Sequence, residues 1–250
     1  MSSKIMKPKS ETLFHFTKSS DVLEVILEDG FWPRFCLEDV SWLGFTEYDY
    51  VSYPMVCFCD IPLSRISEHV DFYGSFGLGM SKDWAEKNGL NPVFYVSRSS
   101  ATSKTLRKLN NPIIKLSDED DVKKAQNTIR YIYAFTKPTK GEMVVDNQPV
   151  GKNFYQESEW RYVPTDIKIT HLTRVNHENV IKLQKANEAT KKSSLLKFTP
   201  NDIKYIFVKQ DSDIPRIVNF IQSKMDKYPA SDIKIFLSRI VSLESLSADI

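Results

Sequence analysis

The chain has 250 residues, of which 41% are hydrophobic and 26% charged, a balance typical of a folded globular protein rather than a disordered one. Its 34 basic and 32 acidic residues leave a formal net charge of +2, which excludes a strongly basic nucleic-acid coat but not a local basic patch. No run of about 18 apolar residues predicts a membrane span, and the basic N-terminus lacks the apolar stretch of a secretory signal, so we expect a cytoplasmic protein.

The first half of the chain predicts short strands that alternate with helices. A strand over 12–18 precedes a helix over 21–29, which Ser20 caps and Gly30 follows. Residues 31–54 are rich in aromatic residues and are predicted to be irregular. The other predicted elements are a buried strand over 55–59, a helix over 63–72, an open glycine-containing segment over 74–79, a helix over 81–88 and a strand over 92–97.

The second half begins with a helix after the acidic segment 117–120, which Pro138 is expected to end. The polar segment 182–199 fits either a solvated helix or a mobile loop. Strands and helices mix without a regular βαβ rhythm, and no boundary is evident. The sequence therefore predicts one α+β domain over 1–250, with 181–250 as its basic C-terminal part. The remaining predicted elements are strands over 142–146, 159–163, 167–171, 204–208 and 233–237 and a helix over 214–225.

The three cysteines, Cys36, Cys57 and Cys59, predict neither a disulfide framework nor a metal site. Their odd number favours a reducing compartment. Cys57 and Cys59 form a C-x-C pair that is shorter than the usual zinc-binding spacing, and no histidine pair follows it. We therefore interpret both as small apolar residues of a buried strand and expect no metal ion.

The first candidate binding motif is Phe14-His15-Phe16-Thr17. His15 and Thr17 lie at positions i and i+2 of the predicted strand, so their side chains project to the same face. Both side chains can form hydrogen bonds with ribose hydroxyls or a carboxamide. The alternative is a core histidine whose hydrogen bonds go to the backbone.

The second candidate motif is Glu157-Ser158-Glu159-Trp160-Arg161. On an extended segment, carboxylates at i and i+2 point to one side, and like charges this close tend to raise one pKa. Such a pair suits sugar chemistry, because one carboxylate can stabilise an oxocarbenium-like centre while the other meets the acceptor. The alternative is an exposed edge on which Glu157 is solvated and Glu159 pairs with Arg161 or a nearby lysine.

Three stretches of the chain resemble known families. The opening of ADP-ribosyltransferase-like domains, including those of DNA-targeting toxins, is similar to LFHFTKSSDVLEVILEDGFWPR. The stretches SYPMVCFCDIPLSRISEHVDFYGSFGLGMSKDWAEKNGLNPVFYV and ESEWRYVP resemble the abortive phage infection AbiGi family. Together the three stretches cover residues 12–97 and 154–164, and we refer to them jointly as the resemblance. It implies an ADP-ribosyltransferase-like split mixed β-sheet core with flanking helices. It also implies a phage-defence toxin that transfers ADP-ribose from NAD to a macromolecule.

The resemblance also implies roles for the residues of both motifs. Glu159 would be the catalytic glutamate, which binds the 2′-hydroxyl of the nicotinamide ribose and stabilises the oxocarbenium. Glu157 would face the acceptor. His15 would contact the adenosine-side ribose of NAD, and Thr17 would supply the nearby hydroxyl.

Two further NAD contacts follow from the same resemblance. Tyr73 would stack on nicotinamide, and Arg34 would meet the NAD phosphates, since a guanidinium suits bidentate contact with phosphate. The chain lacks the tyrosine pair of one family pattern and both the initial arginine and the S-T-S motif of the other. Several aromatic residues are therefore alternatives to Tyr73, although most aromatic residues belong to the core. These alternatives are Phe58, Phe76, Trp32 and Tyr50.

The predicted acceptor is a nucleic acid, RNA or DNA. Seven lysines and two acidic residues occupy 181–209, an excess that would attract a polynucleotide, although such a run is more often a solvated face. A cognate antitoxin protein would restrain the toxin. A protein acceptor stays open. The two alternative functions are a non-catalytic antitoxin or sensor module and an NAD glycohydrolase that uses water as its acceptor.

Overall fold

The computed structural model describes residues 10–45, 48–109, 116–145, 148–225 and 228–247, and these residues mix strands and helices as the predicted α+β class requires. No helix within these ranges is long and apolar enough to cross a membrane. The strands are β1 (Thr12–Thr17), β2 (Arg34–Asp39), β3 (Tyr50–Cys59), β4 (Phe76–Ser81), β5 (Asn91–Pro92), β6 (Phe94–Val96), β7 (Thr136–Pro138), β8 (Gly141–Val145), β9 (Gln148–Lys152), β10 (Glu159–Tyr162), β11 (Leu172–Thr173), β12 (Ile203–Val208) and β13 (Ile240–Ser242). The helices are α1 (Ser20–Asp29), α2 (Ile66–Tyr73), α3 (Lys82–Lys87), α4 (Ala101–Arg107), α5 (Glu119–Ala134), α6 (Arg174–Glu178), α7 (Val180–Ser193), α8 (Ile214–Lys224), α9 (Ala230–Leu237) and α10 (Leu243–Ser247).

These elements form two compact units. Unit 1 comprises the described residues of Met1–Phe31, Phe58–Gly89 and Leu196–Ile250, and unit 2 those of Trp32–Cys57 and Leu90–Leu195. The predicted basic part 181–250 is divided, because its first residues belong to unit 2 and the rest to unit 1. The single-domain organisation and the ADP-ribosyltransferase-like sheet stay predictions.

Unit 1 is built on a mixed sheet in the order β13–β12–β4–β1, next to which lies the end of β3. Strands β1 and β4 are antiparallel, with His15 opposite Leu78, and Phe14 pairs with Cys59. Strand β12 is antiparallel to β4 and parallel to β13. Helix α1 packs on β1 and β4. The predicted strand over 12–18 and the predicted helix over 21–29 are therefore both found, and the helix covers the strand.

Glycine determines how closely β1 and β4 approach each other. The prediction of open chain over 74–79 is wrong, because Phe76–Ser81 forms a buried strand. A Cβ atom at Gly77 would lie 2.5 Å from the carbonyl oxygen of His15 and 2.7 Å from the ring of Phe16. Glycine at this position therefore makes room for a neighbouring strand and an aromatic ring, rather than for a loop.

The C-terminal part of unit 1 contains a second correction. Residues 233–237, predicted as a strand, belong to helix α9, whereas the predicted helix over 214–225 is found as α8. Ile233, Phe236 and Leu237 follow the i, i+3, i+4 spacing of a helix, and Phe236 is fully buried. Because a short apolar run fits both periods, burial of a single helical face decides the structure here.

Unit 2 contains the strand pairs that carry the second motif. Strand β2 is antiparallel to β3 with Arg34 opposite Met55, and β10 lies beside β3 and is antiparallel to β5. Strands β6 and β7 form a parallel pair, and β8 and β9 form a hairpin. The prediction of an irregular segment over 31–54 is wrong, because β2 and the start of β3 supply each other's hydrogen bonds, which no local pattern reveals.

Helices α5 and α7 cover the strands of unit 2. The predicted acidic start of α5 is confirmed, since Asp118 accepts from the amide of Asp121 at 2.9 Å, but the helix ends at Ala134 and Pro138 lies in β7. The segment 182–199 begins inside helix α7, which ends at Ser193 and whose buried Ala186 packs against Phe35. Strand β11 replaces the strand predicted over 167–171, and residue 146 of the strand predicted over 142–146 lies outside the described residues.

Candidate functional site

The first motif lies on β1, in unit 1. Phe14 and Phe16 pack on Phe207, with ring centroids 5.7 and 5.4 Å apart, respectively. His15 alternates with them along the strand, and its half-buried ring lies 5.1 Å from that of Phe31 and 5.4 Å from that of Phe58. Phe58, one alternative to Tyr73, therefore contacts the histidine that is predicted to bind NAD.

The hydroxyl of Thr17 organises the turn between β1 and α1. Its Oγ1 donates to the carbonyl oxygen of Ser19 at 3.1 Å and accepts from the amide of Ser19 at 3.3 Å. The Ser19 side chain then accepts from the amide of Val22, so Ser19 rather than the predicted Ser20 caps α1. Thr17 is buried, and its hydroxyl forms these local hydrogen bonds. Its role in NAD binding stays a prediction.

Tyr73, the predicted nicotinamide-stacking residue, ends helix α2. Its ring lies 4.3 Å from that of His69, which in turn lies 5.9 Å from that of Phe16 on β1. The next residue, Gly74, has a φ of 120°, and a Cβ atom there would collide with the backbone of Thr17. This close approach brings Tyr73 beside the end of β1, where it packs on the side of Phe14 and Phe16. His15 alternates with these residues and contacts Phe31 and Phe58, so unit 1 contains three of the predicted NAD-binding residues without bringing all three to one face of β1.

Arg34 begins strand β2 in unit 2 and is exposed. Its guanidinium carbon lies 4.2 Å from the centroid of the Trp32 ring, and the Lys191 ammonium lies 5.2 Å from the same centroid. The indole N–H of Trp32 donates to the carbonyl oxygen of Asn187 at 2.9 Å, which ties the ring to α7. Arg34 is thus held on a fixed aromatic surface, where a guanidinium can meet an anionic group.

The second motif lies in unit 2, at the start of β10. Glu157 ends a 3₁₀ turn, Ser158 has the left-handed values φ 44° and ψ 52°, and Glu159 is the first residue of the strand. The expectation of an extended segment is therefore wrong. The two carboxylates nevertheless come together, because Lys137 Nζ lies 3.4 Å from Glu157 Oε2 and 2.9 Å from Glu159 Oε2.

Both glutamates are only 6% exposed, so the alternative of a solvated Glu157 on an open edge is wrong as well. Each carboxylate also pairs with a second cation. Glu157 Oε1 lies 2.6 Å from Lys152 Nζ, and Glu159 Oε1 accepts from Arg161 Nε at 2.7 Å. The pairing of Glu159 with Arg161 is the part of that alternative that the structure confirms.

Arg161 completes the cluster and is fully buried. Its guanidinium donates to the carbonyl oxygen of Ala134 at 2.6 Å and forms an ion pair with Glu38 at 3.1 Å. The group therefore contains three carboxylates and three cations, and its formal charges cancel. We call these residues the ion cluster: Glu38, Lys137, Lys152, Glu157, Glu159 and Arg161.

The electrostatics of the cluster keep its central carboxylate ionised. Burial alone would raise the pKa of Glu159, but the charges of Arg161 and Lys137 outweigh burial and hold that pKa well below its ordinary value. Burial likewise opposes the charge of Lys137, and the neighbouring carboxylates, Glu159 first among them, raise its pKa above the ordinary value. The cluster thus does not raise the pKa of Glu159, as two like charges alone would.

The thiols beside the cluster stay protonated at neutral pH. Burial raises the pKa of Cys36 to about 11, and burial together with the charge of Glu159 raises the pKa of Cys57 well above its ordinary value. Such thiols are poor nucleophiles, because the thiolate is the reactive form. The described residues contain no group of three His, Cys, Asp or Glu side chains that could hold a metal ion.

Sequence reasoning missed the residues that surround Glu159. Lys137 lies on β7, and Tyr95 on β6 accepts a hydrogen bond from the backbone amide of Glu159 at 2.8 Å. Both come from distant parts of the chain, and neither belongs to a recognisable motif. The only local feature of Lys137 is that it directly precedes Pro138, and this feature is too common to indicate a site residue.

Comparison with known proteins adds a family to this geometry. Residues 29–209 match the family model described as "Putative abortive phage resistance protein AbiGi, antitoxin". The chain belongs to the AbiGi family. The matched region includes Arg34, Tyr73, Glu157 and Glu159 but begins after His15 and Thr17. Membership of the AbiGi family makes this a protein of phage defence.

A curated relative supports the same assignment. The abortive phage resistance protein AbiGi of Lactococcus lactis subsp. cremoris is 28% identical over 251 residues, which cover 88% of this chain and 99% of the relative. No solved structure matches the chain. The AbiGi family is therefore established by sequence along most of the chain.

Proposed function

We propose that this AbiGi-family protein is an NAD-dependent ADP-ribosyltransferase, which acts as a toxin in phage defence. The observation that carries the proposal is the carboxylate of Glu159, which is buried and held ionised by Lys137 and Arg161. A buried anion that is already held in a fixed orientation needs no reorganisation when a positive charge develops beside it, whereas a solvated carboxylate does. Cleavage of the nicotinamide glycosidic bond creates such a charge on the ribose.

The reaction balances without a further cofactor. The bond between ribose C1′ and the nicotinamide nitrogen breaks, and its electron pair leaves with nicotinamide, which becomes neutral. A nucleophile of the acceptor forms the new bond to C1′ and loses its proton. In this proposal Glu159 binds the 2′-hydroxyl and offsets the charge on the oxocarbenium, and Glu157 faces the acceptor and takes up the proton.

The remaining predicted contacts bind NAD as the substrate. His15 contacts the adenosine-side ribose with Thr17 nearby, and Tyr73 stacks on nicotinamide. Arg34 meets the phosphates, and its exposed guanidinium on the ring of Trp32 supports that role. These assignments rest on the family resemblance together with the contacts that each unit makes internally.

We propose a nucleic acid, RNA or DNA, as the acceptor. Twelve basic and eight acidic residues follow residue 180, a local net charge of +4, whereas the preceding part carries −2. Helix α7 contributes four lysines and a single glutamate to that excess. Local positive charge attracts a phosphate backbone even when the whole chain is almost neutral.

Labelled NAD tests the proposal. The purified chain is incubated with NAD labelled in its adenylate part and with cell lysate, and the products are digested separately with nuclease and protease. Label that transfers and is released by nuclease alone supports the proposed acceptor, and label released by protease alone identifies a protein acceptor instead. Free ADP-ribose without labelled polymer indicates a glycohydrolase.

Glu159→Gln and Glu38→Gln form a matched pair of variants for this assay. Both replace a carboxylate that contacts Arg161, but Glu159 alone has the proposed catalytic role. We expect Glu159→Gln to abolish transfer and toxicity, and Glu38→Gln to reduce them much less. Equal toxicity of Glu159→Gln and the wild-type chain would exclude the transferase mechanism.

The family description favours a second candidate, a non-catalytic antitoxin of a toxin–antitoxin pair. In that case the ion cluster stabilises the fold and has no substrate. This candidate requires that the chain be harmless when expressed alone, that it protect cells from its cognate partner, and that His15→Ala and Glu159→Gln variants that fold still protect. Toxicity of the chain alone excludes it.

A further inference from the structure

Lys137 joins the two carboxylates of the second motif from a distant part of the chain. It is the middle residue of β7, opposite Tyr95 of β6. Besides its contacts of 2.9 Å with Glu159 and 3.4 Å with Glu157, its ammonium lies 4.4 Å from the centroid of the Phe154 ring. The side chain is only 12% exposed, so all three contacts are largely shielded from water.

We propose that Lys137 is a positioning residue of the transferase, which keeps Glu159 charged and oriented toward the ribose hydroxyl. This inference rests on the proposed function. Lys137 acts through the glutamates, because its ammonium is directed at their Oε2 atoms. Arg161 contacts both oxygens of Glu159, Oε1 at 2.7 Å and Oε2 at 3.2 Å, and Lys137 adds a second cation on Oε2 at 2.9 Å, so the carboxylate has little freedom to rotate.

Lys137 differs from Arg161 in a way that makes the inference testable. Arg161 is fully buried and also supports Glu38 and the backbone of Ala134, so its loss damages the fold. Lys137 contacts the two glutamates of the motif and the Phe154 ring at the edge of the cluster. A change at Lys137 therefore affects the motif more selectively.

Removal of the Lys137 charge has a defined electrostatic consequence. Two neighbouring carboxylates would then share one cation fewer, so one of them binds a proton at a higher pH than before. The charged and titratable groups that face Glu159 or Lys137 are Cys36 and Glu38 on β2, Cys57 on β3, Tyr95 on β6, Glu157 in the 3₁₀ turn and Arg161 on β10. Lys152 faces Glu157 from β9. All of these remain in a Lys137 variant.

The test compares Lys137→Met, Lys137→Arg and Lys124→Met in NAD cleavage between pH 3 and 8, a range that reaches below the ordinary pKa of a glutamate. Lys124 lies on α5 and is 78% exposed, so it controls for the loss of one lysine charge. We expect Lys137→Met to move the acid limb of the kcat profile upward by about one pH unit or more, which lowers kcat about tenfold on that limb. We expect a smaller change in KM for NAD, recovery of most of kcat in Lys137→Arg, and a wild-type profile in Lys124→Met.

A second readout separates this inference from the proposed function. The Glu159 carboxylate is titrated by ¹³C NMR in wild type and in folded Lys137→Met, with its signal assigned through Glu159→Gln. A wild-type chain that cleaves no NAD overturns the proposed function, and with it the catalytic part of the inference. In that case the NMR titration alone shows whether Lys137 keeps the Glu159 carboxylate ionised. An acid limb and a carboxylate titration that are unchanged in folded Lys137→Met overturn the positioning role of Lys137.

Discussion

At the residue scale, Arg161 is a fully buried cation of unit 2 whose guanidinium is hydrogen-bonded through all three of its nitrogens. Its Nε and one terminal nitrogen donate to the two oxygens of Glu159, at 2.7 and 3.2 Å, and its other terminal nitrogen donates to the Ala134 carbonyl at 2.6 Å. A buried cation is tolerated only with such complete compensation. Glu159 and Arg161 therefore stabilise each other in the folded state, whatever reaction the site performs.

Replacement of Arg161 by methionine removes that compensation. Glu38 and Glu159 keep their charges in a buried site, so we expect the free energy of unfolding to fall by about 3–5 kcal/mol. Urea denaturation at pH 7 measures this change. Arg174→Met, which breaks the exposed ion pairs of Arg174 with Asp49 and Glu178, is the control and is expected to have little effect. Similar stability of the two variants would show that Arg161 is not structurally essential.

The low pKa of Glu159 predicts a pH dependence of stability. Burial opposes its charge, but Arg161 and Lys137 lower its folded pKa below the unfolded value near 4.5, so its contribution is present at neutral pH and is lost as the pH falls toward the folded pKa. We expect the difference in unfolding free energy between wild type and Glu159→Gln to shrink between pH 6 and 3, measured by urea denaturation. A difference that stays constant over this range contradicts the assignment.

His171 adds a second acid-sensitive contribution, which this comparison cancels. Burial lowers its pKa to about 4 from 6.5, so the folded state prefers the neutral ring, and stability falls as the pH drops through this interval. The effect has the same direction as that of Glu159 but is present in both proteins. The difference between them therefore reports on Glu159.

The sequence predicts the carboxylates of the second motif and the pairing of Glu159 with Arg161, but not the other charged residues of the ion cluster. Glu157 and Glu159 are recognisable because they are close in the chain and match a family motif. Lys137 lies 22 residues before Glu159, and Glu38 lies on another strand altogether. Only strand pairing brings these residues together, so neither spacing nor composition can assign them.

At the element scale, the glycine-containing segment of β4 forms a strand because it pairs with β1, and this pairing is not visible in the local sequence. Gly77 faces the carbonyl oxygen of His15 and the ring of Phe16 across the β1–β4 pair. Both neighbours are part of the core of unit 1, so neither can withdraw without disturbing β1. The strand therefore depends on the absence of a side chain at this position.

Gly77→Ala tests this packing. We expect the free energy of unfolding to fall by about 1–3 kcal/mol, because the new methyl group overlaps backbone and a packed ring. Gly151→Ala on β9 is the matched control, since nothing lies within 4 Å of the position that its new methyl group would occupy, and we expect it to leave stability nearly unchanged. Thermal unfolding of both variants measures the difference. Equal melting temperatures would mean that β1 and β4 adjust freely.

Elements with a strong local signal are predicted well, and those that depend on partners are not. Helices α1 and α8 have clear apolar stripes, and β1 and β12 have apolar runs of strand length, so all four lie where the sequence predicts them within a residue or two. Strand β2 contains Arg34, Cys36 and two acidic residues, and it forms because β3 pairs with it along its whole length. Its existence is a property of the sheet rather than of its own sequence.

At the scale of the whole molecule, near-neutral charge conceals an internal asymmetry. The part after residue 180 carries +4 and the part before it −2. The structure divides the basic part between α7 in unit 2 and the later elements of unit 1. Composition alone therefore predicts an excess of positive charge, but only the fold shows which elements carry it.

The aromatic residues of the whole chain are also divided by the fold. Fourteen of the 30 are buried in the core, among them Phe14, Phe31, Phe58 and Phe207 of unit 1. Trp32 is different, since two cations lie close to its ring.

The family assignment places the molecule in phage defence, and the central claim that Glu159 acts on NAD goes beyond that assignment.

Nicotinamide release by the purified chain tests this claim most directly. The wild-type chain is incubated with NAD in the presence of single-stranded RNA or DNA, and free nicotinamide is quantified by chromatography beside Glu159→Gln and Glu38→Gln. We predict release by the wild-type chain, a loss of at least about a hundredfold in Glu159→Gln, as expected when a group that stabilises transition-state charge is removed, and a much smaller loss in Glu38→Gln. Release that is equal in Glu159→Gln and wild type, or absent from the folded wild-type chain with every acceptor supplied, would contradict the claim.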